Sequence, residues 1–484
     1  MPINSFLLPG AKFIPAYEVA NSLRLDDGSS PKLSRTPGST GDRRQFTFSF
    51  WFKRSAISTG GYPYIFQQGA ANTNMTAMYF DDDDRFSFYI ENASGGGTTA
   101  LKITNRMFRD PSAFLHVVVA VDTDQGTAAN RIRLYFNGTE ETSFETNTII
   151  NQNTDVIGIG QTVATYIGYR GTDDDNYSDG YLSEFVFIDG LQLTPSSFGE
   201  FDEDSPTIWK PKDVSGLTFG TNGFYLDFED SGDLGDDESG NGNDFTETNL
   251  AATDQTTDTP TNNFCTFNPL YFRPGRTATT FSEGNCKSVH SDTGGTTPAW
   301  GTIALHHGKW YFEMKVIEEY AMYIGIWQTQ GAWTNPGLYD GLSGVNTYRP
   351  WDGQTNDENV GLASYGDTYA DDDIIGCAFD CDTGTIWFSK NGTWQNSATQ
   401  AEVVAGTTTN AAFTGKAYST NGVIPICTAY SPSPSSGASV EANFGNPSFT
   451  ISSGNADDNG YGNFEYDVPT GYYAICTKNL AEYG

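Results

Sequence analysis

Residues 373–394, DIIGCAFDCDTGTIWFSKNGTW, decide the fold of the second half of the chain. Large and small side chains alternate there with the period of two that is typical of a pleated strand, and the large ones are Ile375, Cys377, Phe379 and Cys381. Residues 382–384 then turn the chain, and residues 385–390 make a second strand. Asn391-Gly392 indicates a tight hairpin, because both positions of a type I′ turn require positive φ. The stretch therefore predicts three short antiparallel strands.

The same pattern occurs in the first half of the chain, at residues 131–144, RIRLYFNGTEETSF. Other alternating or apolar segments recur at short intervals with turn residues between them, such as FTFSFWFKRS (46–55) and FLHVVVAVDT (114–123). No long stretch keeps a 3.6-residue apolar stripe, so we expect neither long helices nor coiled coils. The sequence predicts an all-β protein built from antiparallel sandwiches.

The length and net charge of the chain limit its number of domains and the classes of partner that it can bind. A chain of 484 residues is too long for one core and suits two or three domains. Its formal charge of −34 repels nucleic acid and anionic lipid, and favours neutral glycans, cations or basic proteins, unless the acids only solvate the surface. No apolar run reaches transmembrane length and residues 1–20 do not resemble a signal peptide. We expect no nucleic-acid partner, no membrane insertion, and folding in the cytosol that makes the chain.

Cysteine and histidine usage argues against metal or disulfide chemistry. The six cysteines all lie in the second half, with no C-x-x-C or His/Cys cluster, so zinc is not expected and we interpret them as reduced core residues. His116 lies inside an apolar strand, and we interpret it as a core residue whose hydrogen bonds are satisfied.

The segments of residues 21–200 resemble a laminin G-like, concanavalin A-like jelly-roll domain. The resemblance is carried by FSFWFKRS, LHVVVAVDT, RIRLYFNGTE, YIGYRG and DGYLSEFVFIDGLQL. Residues 1–20 precede this domain as a Pro-punctuated arm, which either packs on the domain itself or docks on a neighbouring subunit.

Residues 281–484 resemble a SPRY (B30.2-like) sandwich with a C-terminal extension. The order of KWYFEMKV, MYIGIW, the stretch 373–394, VIPICTAYS and VEANFGNPSF carries this resemblance and makes Trp387 a core residue. Residues 201–280 are interpreted as a connector that packs on the sandwiches. The expected fold class is all-β, with two antiparallel β-sandwiches in tandem, a jelly-roll laminin G-like one and then a SPRY-like one.

The segments that follow the first sandwich, including LTPSSFGEFDEDSPTIWKPKDVSGLTFG, resemble structural proteins of tailed bacteriophages, especially marine ones. This resemblance implies a virion protein, made in the host cytoplasm and exposed on the particle, that attaches to host-surface glycan or protein as a tail-fibre or tail-tip component. Its partners would be other tail or capsid proteins, and we expect a homo-oligomer and favour a trimer. Two alternatives stay open: a capsid decoration or head-fibre protein that stabilises the shell, and a polysaccharide depolymerase.

Catalysis is not expected. Glucanases of the same fold carry E-x-D-x-x-E or E-x-D-x-E on a strand, because retaining hydrolysis needs two carboxyls about 5–5.5 Å apart. The nearest match is Glu200-Phe201-Asp202-Glu203-Asp204, which lacks the final Glu and follows turn residues. We therefore predict that the chain is not an enzyme and has no catalytic residues.

Acidic loops offer a calcium site. The first candidate is the loop with Asp173, Asp174, Asp175 and Asp179, because calcium takes six to eight oxygen ligands and clustered carboxylates supply them. Laminin G-like domains often hold calcium at the rim of the sandwich, so the resemblance implies a calcium ion at this loop. Solvated surface turns are the alternative.

An aromatic, Gly-rich region offers a ligand-binding surface. The candidates are Trp327, Trp333, Tyr339, Tyr348 and Trp351, with Asp352. Aromatic rings stack on the apolar faces of sugars, while carboxylates bind hydroxyl groups. The alternative is that some of these rings belong to the core.

Overall fold

The structure, a computed structural model, describes residues 17–57, 60–92, 97–203, 205–271, 279–291, 295–329, 344–357, 361–431 and 437–484. Most of the N-terminal arm, residues 1–16, lies outside these ranges. Within them, no helix is both long and apolar enough to span a membrane.

The described residues of the first half of the chain, with the connector, form eighteen strands. In chain order they are β1 (Ser22–Leu25), β2 (Lys32–Arg35), β3 (Gln45–Arg54), β4 (Tyr64–Ala71), β5 (Asn74–Phe80), β6 (Arg85–Asn92), β7 (Gly97–Met107), β8 (Leu115–Asp122), β9 (Ile132–Phe136), β10 (Thr139–Glu140), β11 (Phe144–Thr148), β12 (Thr165–Ile167), β13 (Gly180–Asp189), β14 (Gly199–Phe201), β15 (Trp209–Pro211), β16 (Phe224–Leu226), β17 (Thr246–Thr248) and β18 (Gln255–Thr256).

Two antiparallel sheets form the first sandwich. One has the order β10-β9-β8-β3-β13-β1-β18, with β16 also paired to β13, and the other has the order β11-β7-β6-β5-β4-β12-β2-β17. Strands β14 and β15 form a separate two-stranded hairpin. Strands β16, β17 and β18 come from the connector, which is therefore part of the first sandwich.

Strand β3 shows why this part folds as a sandwich. Its Phe46, Phe48, Phe50 and Phe52 are buried in the core between the sheets. The alternate residues face the other side, where Ser49 hydrogen-bonds His116 at 2.9 Å. The His116 ring is buried, stacks on Trp51 and accepts a hydrogen bond from the indole of Trp209. The prediction of a satisfied core histidine is confirmed.

In the second half, the residues that the structure describes form fourteen strands and three short α-helices. The strands are β19 (Thr279–Ser282), β20 (Lys287–His290), β21 (Gly295–Trp300), β22 (Lys309–Glu318), β23 (Met322–Gln328), β24 (Val345–Tyr348), β25 (Gln354–Asp357), β26 (Gly361–Ser364), β27 (Ile374–Asp380), β28 (Thr385–Lys390), β29 (Thr393–Trp394), β30 (Val423–Ser431), β31 (Ala438–Asn443) and β32 (Tyr473–Ala474). The helices are α1 (Gln400–Ala405), α2 (Tyr418–Asn421) and α3 (Thr477–Tyr483).

These strands form a second sandwich. One sheet has the order β19-β20-β31-β22-β27-β28-β29, and the other has the order β21-β30-β23-β24-β25-β26. The hairpin predicted from residues 373–394 is present as β27, β28 and β29, and Asn391 and Gly392 have φ of 49° and 75° as a type I′ turn requires. Trp387 is fully buried and all six cysteines are buried, as predicted. The fold is all-β with two sandwiches in tandem.

The C-terminal extension packs on the outer face of the second sandwich. Strand β32 runs parallel to β22, and Phe464 meets the ring of Tyr311 edge to face. Trp387 points to this side and packs with Tyr472 of the extension. The outer face of this sheet is therefore a buried interface along part of its length.

One buried carboxylate, that of Glu313, holds the C-terminal extension on the sheet through hydrogen bonds. The Glu313 side chain on β22 accepts hydrogen bonds from the backbone N–H groups of Glu465 and Tyr466 at 2.9 Å. Tyr311 and Asn443 donate two more. Burial raises the pKa of Glu313 to about 7, although these four hydrogen bonds favour its charged form.

Glu313 should give the protein a specific pH dependence of stability. Because the folded chain holds this proton more tightly than the unfolded chain, its contribution to stability is lost as the pH rises from about 4.5 to about 7. Relative to Glu313→Gln, wild-type protein should lose about 3 kcal/mol of unfolding free energy between pH 4 and pH 8. Urea unfolding across this range measures the difference. Glu318→Gln, at the exposed end of β22, is the control, and parallel profiles for wild type and Glu313→Gln would contradict the assignment.

The two sandwiches meet through buried polar contacts. Lys53 on β3 pairs with Asp258 of the connector at 2.7 Å, and both side chains are fully buried. Arg24 donates to the carbonyl of Pro447 at 3.0 Å, and the hydroxyl of Tyr181 donates to the carbonyl of Gly284 at 2.8 Å. The connector thus ties β3 of the first sandwich to the second.

Candidate functional site

A cleft of about 560 Å³ lies between the second sandwich and the C-terminal extension. We call it the extension cleft. Strands β22, β28 and β29 supply one wall, helix α1 supplies an edge, and the extension supplies the other wall. Its lining residues are Tyr311, Ser389, Gly392, Trp394, Gln400, Ser453, Asn455, Glu465, Tyr466 and Asp467.

The hairpin turn shapes one end of this cleft. A Cβ atom at Gly392 would lie 2.6 Å from Cδ1 of Tyr466, so the tyrosine ring rests directly on the glycine. The same turn places Trp394 on β29, where its indole N–H donates to Oε1 of Gln400 at 2.5 Å. Glu313 holds the backbone of Tyr466 from the other side. The hairpin turn therefore positions the Trp394 ring, and the long-range hydrogen bond from the backbone of Tyr466 to Glu313 helps to position the Tyr466 ring.

The chemistry of the extension cleft suits a polar ligand with apolar patches. The partly exposed ring of Tyr466 lines it beside the buried rings of Tyr311 and Trp394, and amide, hydroxyl and carboxylate groups surround them. The lining set includes Glu465 and Asp467 and contains no lysine, arginine or histidine. Such a surface is unfavourable for anions and compatible with neutral or positively charged groups.

The structure corrects two of the predicted ligand-binding residues. The rings of Trp327 and Tyr348 are buried, the first in a cluster with Trp300 and the second in the central core. Tyr348 faces the core, whereas Trp327 lies on the opposite face of β23 and is covered by the Trp300 cluster, so neither ring is available to a ligand. Trp333 and Tyr339 lie outside the described residues.

Trp351 and Asp352 are at the surface, at a different place from the extension cleft. Trp351 is 44% exposed, and the guanidinium of Arg349 lies 4.5 Å from its ring centroid. Asp352 pairs with the same Arg349 at 3.3 Å, and Tyr323 contacts the Trp351 ring edge to face. These contacts fix the indole as an exposed, rigid platform, and its role in binding stays a prediction.

The four aspartates of the predicted calcium loop lie in two separate places in the structure. Arg170 pairs with Asp173 at 2.9 Å and with Asp175 at 2.6 Å, and Lys32 pairs with Asp174 at 2.5 Å. The pKa of Asp174 is held below its ordinary value by its hydrogen bond to Lys32. Two basic side chains therefore already pair with these three carboxylates.

Asp179 belongs to a different cluster, with Asp26 and Asp27. One ligand atom from each of the three carboxylates lies within 4.8 Å of the others. Burial, with the neighbouring charges of Asp27 and Asp26, raises the pKa of Asp179 to about 8. This shift reflects burial and the repulsion among the three carboxylates, which a cation would relieve, and the cluster lies on the side of the first sandwich that faces Glu283 of the second.

The carboxylates considered for catalysis lie away from the extension cleft. Glu200 and Asp202 are on or next to the hairpin β14–β15, outside the two large sheets. Lys210 pairs with Asp202 at 3.2 Å and lies 3.9 Å from Glu200, so one lysine contacts both groups.

Comparisons with known proteins agree with the architecture. Residues 27–196 match the family model of the concanavalin A-like lectin/glucanases superfamily, in its laminin G form, and residues 309–447 match the model of the SPRY domain. The chain therefore carries a laminin G-like, concanavalin A-like domain followed by a SPRY domain. Both are binding-type folds.

The chain is also similar to solved structures of two SPRY domains and a pentraxin. The chain is similar to the human HERC1 SPRY domain, with 17% identity over 36% of this chain and 96% of that one and a TM-score of 0.28. A second human SPRY domain matches with 15% identity over 36% and 96% of the two chains and a TM-score of 0.24. A heptameric SAP-like pentraxin from Limulus polyphemus matches with 16% identity over 37% and 80% and a TM-score of 0.27.

Sequence reasoning missed the extension cleft. Trp394 directly follows the hairpin that the sequence predicts, so its place on an edge strand was a usable signal. Tyr466 and Asp467 lie in a segment, GNFEYDV, in which Phe464, Tyr466 and Val468 alternate with acidic residues as in a short strand. This alternation does not identify which sheet, formed by residues far away in the chain, the segment docks on.

Proposed function

We propose that this protein is a non-enzymatic attachment protein that binds neutral or amino saccharides in the extension cleft. The observation that carries the proposal is the lining of that cleft, in which the partly exposed Tyr466 ring, beside the buried rings of Tyr311 and Trp394, lies among amide, hydroxyl and carboxylate groups. The apolar faces of sugar rings fit against aromatic side chains, and sugar hydroxyls satisfy the polar groups between them. The two carboxylates disfavour acidic sugars.

We further propose that the chain is displayed on the virion of a tailed bacteriophage, as a tail-fibre or tail-tip component that contacts host-surface glycan or protein. The support is the resemblance of the segments after the first sandwich to phage structural proteins. Its other partners would be tail or capsid proteins, and a trimer would multiply weak saccharide contacts through avidity. A capsid decoration protein that stabilises the shell is the second candidate, supported by the same resemblance.

Cell binding and particle labelling test these proposals together. Purified protein should bind host cells, compete with phage adsorption, and release no reducing sugar from host polysaccharide. Antibodies against the chain should label the tail of intact particles. Labelling of the head alone, with no binding to cells, would favour capsid decoration. Release of reducing sugar that is lost in Glu200→Gln or Asp202→Asn would overturn the non-enzymatic proposal.

We propose calcium as the ion for the Asp26, Asp27 and Asp179 cluster. Three carboxylates within reach of one another supply the hard oxygen ligands that calcium prefers. When bound, calcium would supply positive charge that offsets their mutual repulsion. Since Asp26 also accepts a hydrogen bond from the backbone of Glu283, the ion would stabilise the contact between the sandwiches.

Calcium should stabilise the folded chain through this cluster. With a dissociation constant on the order of 0.1 mM, 10 mM calcium would add about 2.7 kcal/mol and raise the melting temperature by roughly 5 °C. Asp179→Asn should remove the response, whereas Asp173→Asn, in the loop already paired with Arg170, should keep it. Differential scanning calorimetry measures both. A response lost in Asp173→Asn but kept in Asp179→Asn would place the ion in the 173–175 loop instead.

A further inference from the structure

A second cavity opens at the side of the first sandwich, where the two sheets come apart. It has a volume of about 160 Å³ and lies between the edge strand β11 and the hairpin β9–β10. Its floor is apolar and is formed by Ile132, Phe144, Ile149 and Ile150. Ile149 is 50% exposed at the mouth, so the apolar surface is accessible from solvent. We call it the edge pocket.

A lysine reaches into the edge pocket from β7. The Lys102 ammonium donates to Oδ1 of Asn147 at 2.9 Å and lies 4.3 Å from the centroid of the Phe144 ring. Its side chain is buried, and this burial lowers the pKa of Lys102 to about 8. Lys102 forms no ion pair with the described residues; a neutral amide and a ring contact its ammonium, and the carboxylate of Glu140 attracts it from farther away.

A second cation lines the pocket without a carboxylate partner in the part of the chain that the structure describes. The guanidinium of Arg131 donates to backbone carbonyls, including that of Ile150 at 2.9 Å. The two glutamates that line the pocket are next to other arginines: Glu140 lies 3.7 Å from Arg133, and Glu141 lies 3.6 Å from Arg106. The charge left uncompensated in the pocket is positive.

We propose that the edge pocket binds a small organic anion, with its carboxylate on Lys102 and an apolar body of about the size of a benzene ring on the isoleucine floor. An apolar cavity of about 150 Å³ accommodates benzene, and the edge pocket has this size. A carboxylate would give the Lys102 ammonium the charged hydrogen-bond partner that it lacks. The positive charges of Lys102 and Arg131 are required because the chain as a whole, with a formal net charge of −34, repels anions. This site is independent of the extension cleft and of the saccharide proposal.

Benzoate and its neutral analogue benzamide are the probes. Titrated into the full chain and followed by calorimetry or ¹⁵N chemical shifts, benzoate should bind with a dissociation constant of about 1 mM, as its size allows. Benzamide, which has the same ring and no charge, should bind about tenfold more weakly. Equal affinity for the two probes, or no binding of either at about 20 mM, would overturn the proposal.

Three variants separate the charge from the shape of the pocket. Lys102→Met keeps the length of the side chain and should abolish the preference for benzoate over benzamide. Asn147→Asp places a carboxylate beside Lys102 and should weaken benzoate about tenfold while benzamide is unchanged. Lys212→Met, at an exposed lysine near Glu200, is the matched control and should bind as wild type does. Full benzoate affinity in both Lys102→Met and Asn147→Asp would exclude Lys102 as the anion partner.

Discussion

Replacing Asp258 with alanine should lower the free energy of unfolding by about 3–5 kcal/mol, because it leaves the ammonium of Lys53 buried without its partner. The Lys53–Asp258 distance is 2.7 Å and both side chains are inaccessible to solvent. Asp258 also accepts a hydrogen bond from the backbone of Phe264, which continues into a β-bridge with Cys476 of the extension. One substitution therefore disturbs the first sandwich, the connector and the extension together.

Urea unfolding with two comparison variants isolates the buried charge as the cause. The double variant Lys53→Met/Asp258→Leu removes both charges and should recover most of the loss, since apolar replacements of a buried pair are often neutral. Glu200→Ala, which breaks only solvent-exposed contacts to Lys210 and Lys212, should cost less than about 1 kcal/mol. If Asp258→Ala were no more costly than Glu200→Ala, the pair would not stabilise the joint between the sandwiches.

Tyr466→Ala should weaken saccharide binding by about 30-fold or more, equivalent to roughly 2 kcal/mol for truncating a central aromatic contact. The ring is half-buried, rests on Gly392 and forms part of the cleft wall. Isothermal titration with whichever neutral saccharide binds wild type most tightly measures the loss.

Two control variants accompany this measurement. Tyr466→Phe keeps the ring and should bind within a few-fold of wild type, because it loses about one hydrogen bond at most. Tyr62→Ala removes a ring that is 43% exposed on the first sandwich and should have no effect. A large loss in Tyr62→Ala and none in Tyr466→Ala would move the binding site to the first sandwich.

The sequence predicts elements whose signals are local. The hairpin of residues 373–394 appears with its predicted turn, because Asn391-Gly392 encodes positive φ at two successive positions and side-chain alternation encodes the strands. Burial of Trp387 follows from the order of the strand motifs. Here local propensity and tertiary structure agree, which is the condition under which a pattern determines a fold.

The sites depend on contacts that no local pattern contains. Tyr466 reaches the cleft because its backbone hydrogen-bonds Glu313, 153 residues earlier in the chain. Asp179 meets Asp26 and Asp27 through the pairing of β13 with β1, not through its own acidic loop. Tyr348 and Trp351 are three residues apart with similar neighbours, yet the end of β24 leaves one ring buried and the other exposed.

The most direct test of saccharide binding is saturation-transfer NMR of the wild-type chain with a panel of neutral, amino and uronic acid oligosaccharides. The account predicts transfer to the ring protons of at least one neutral or amino saccharide, loss of that transfer in Tyr466→Ala, and none to the uronic acids. Transfer to the uronic acids alone, or transfer that Tyr466→Ala leaves unchanged, would contradict it.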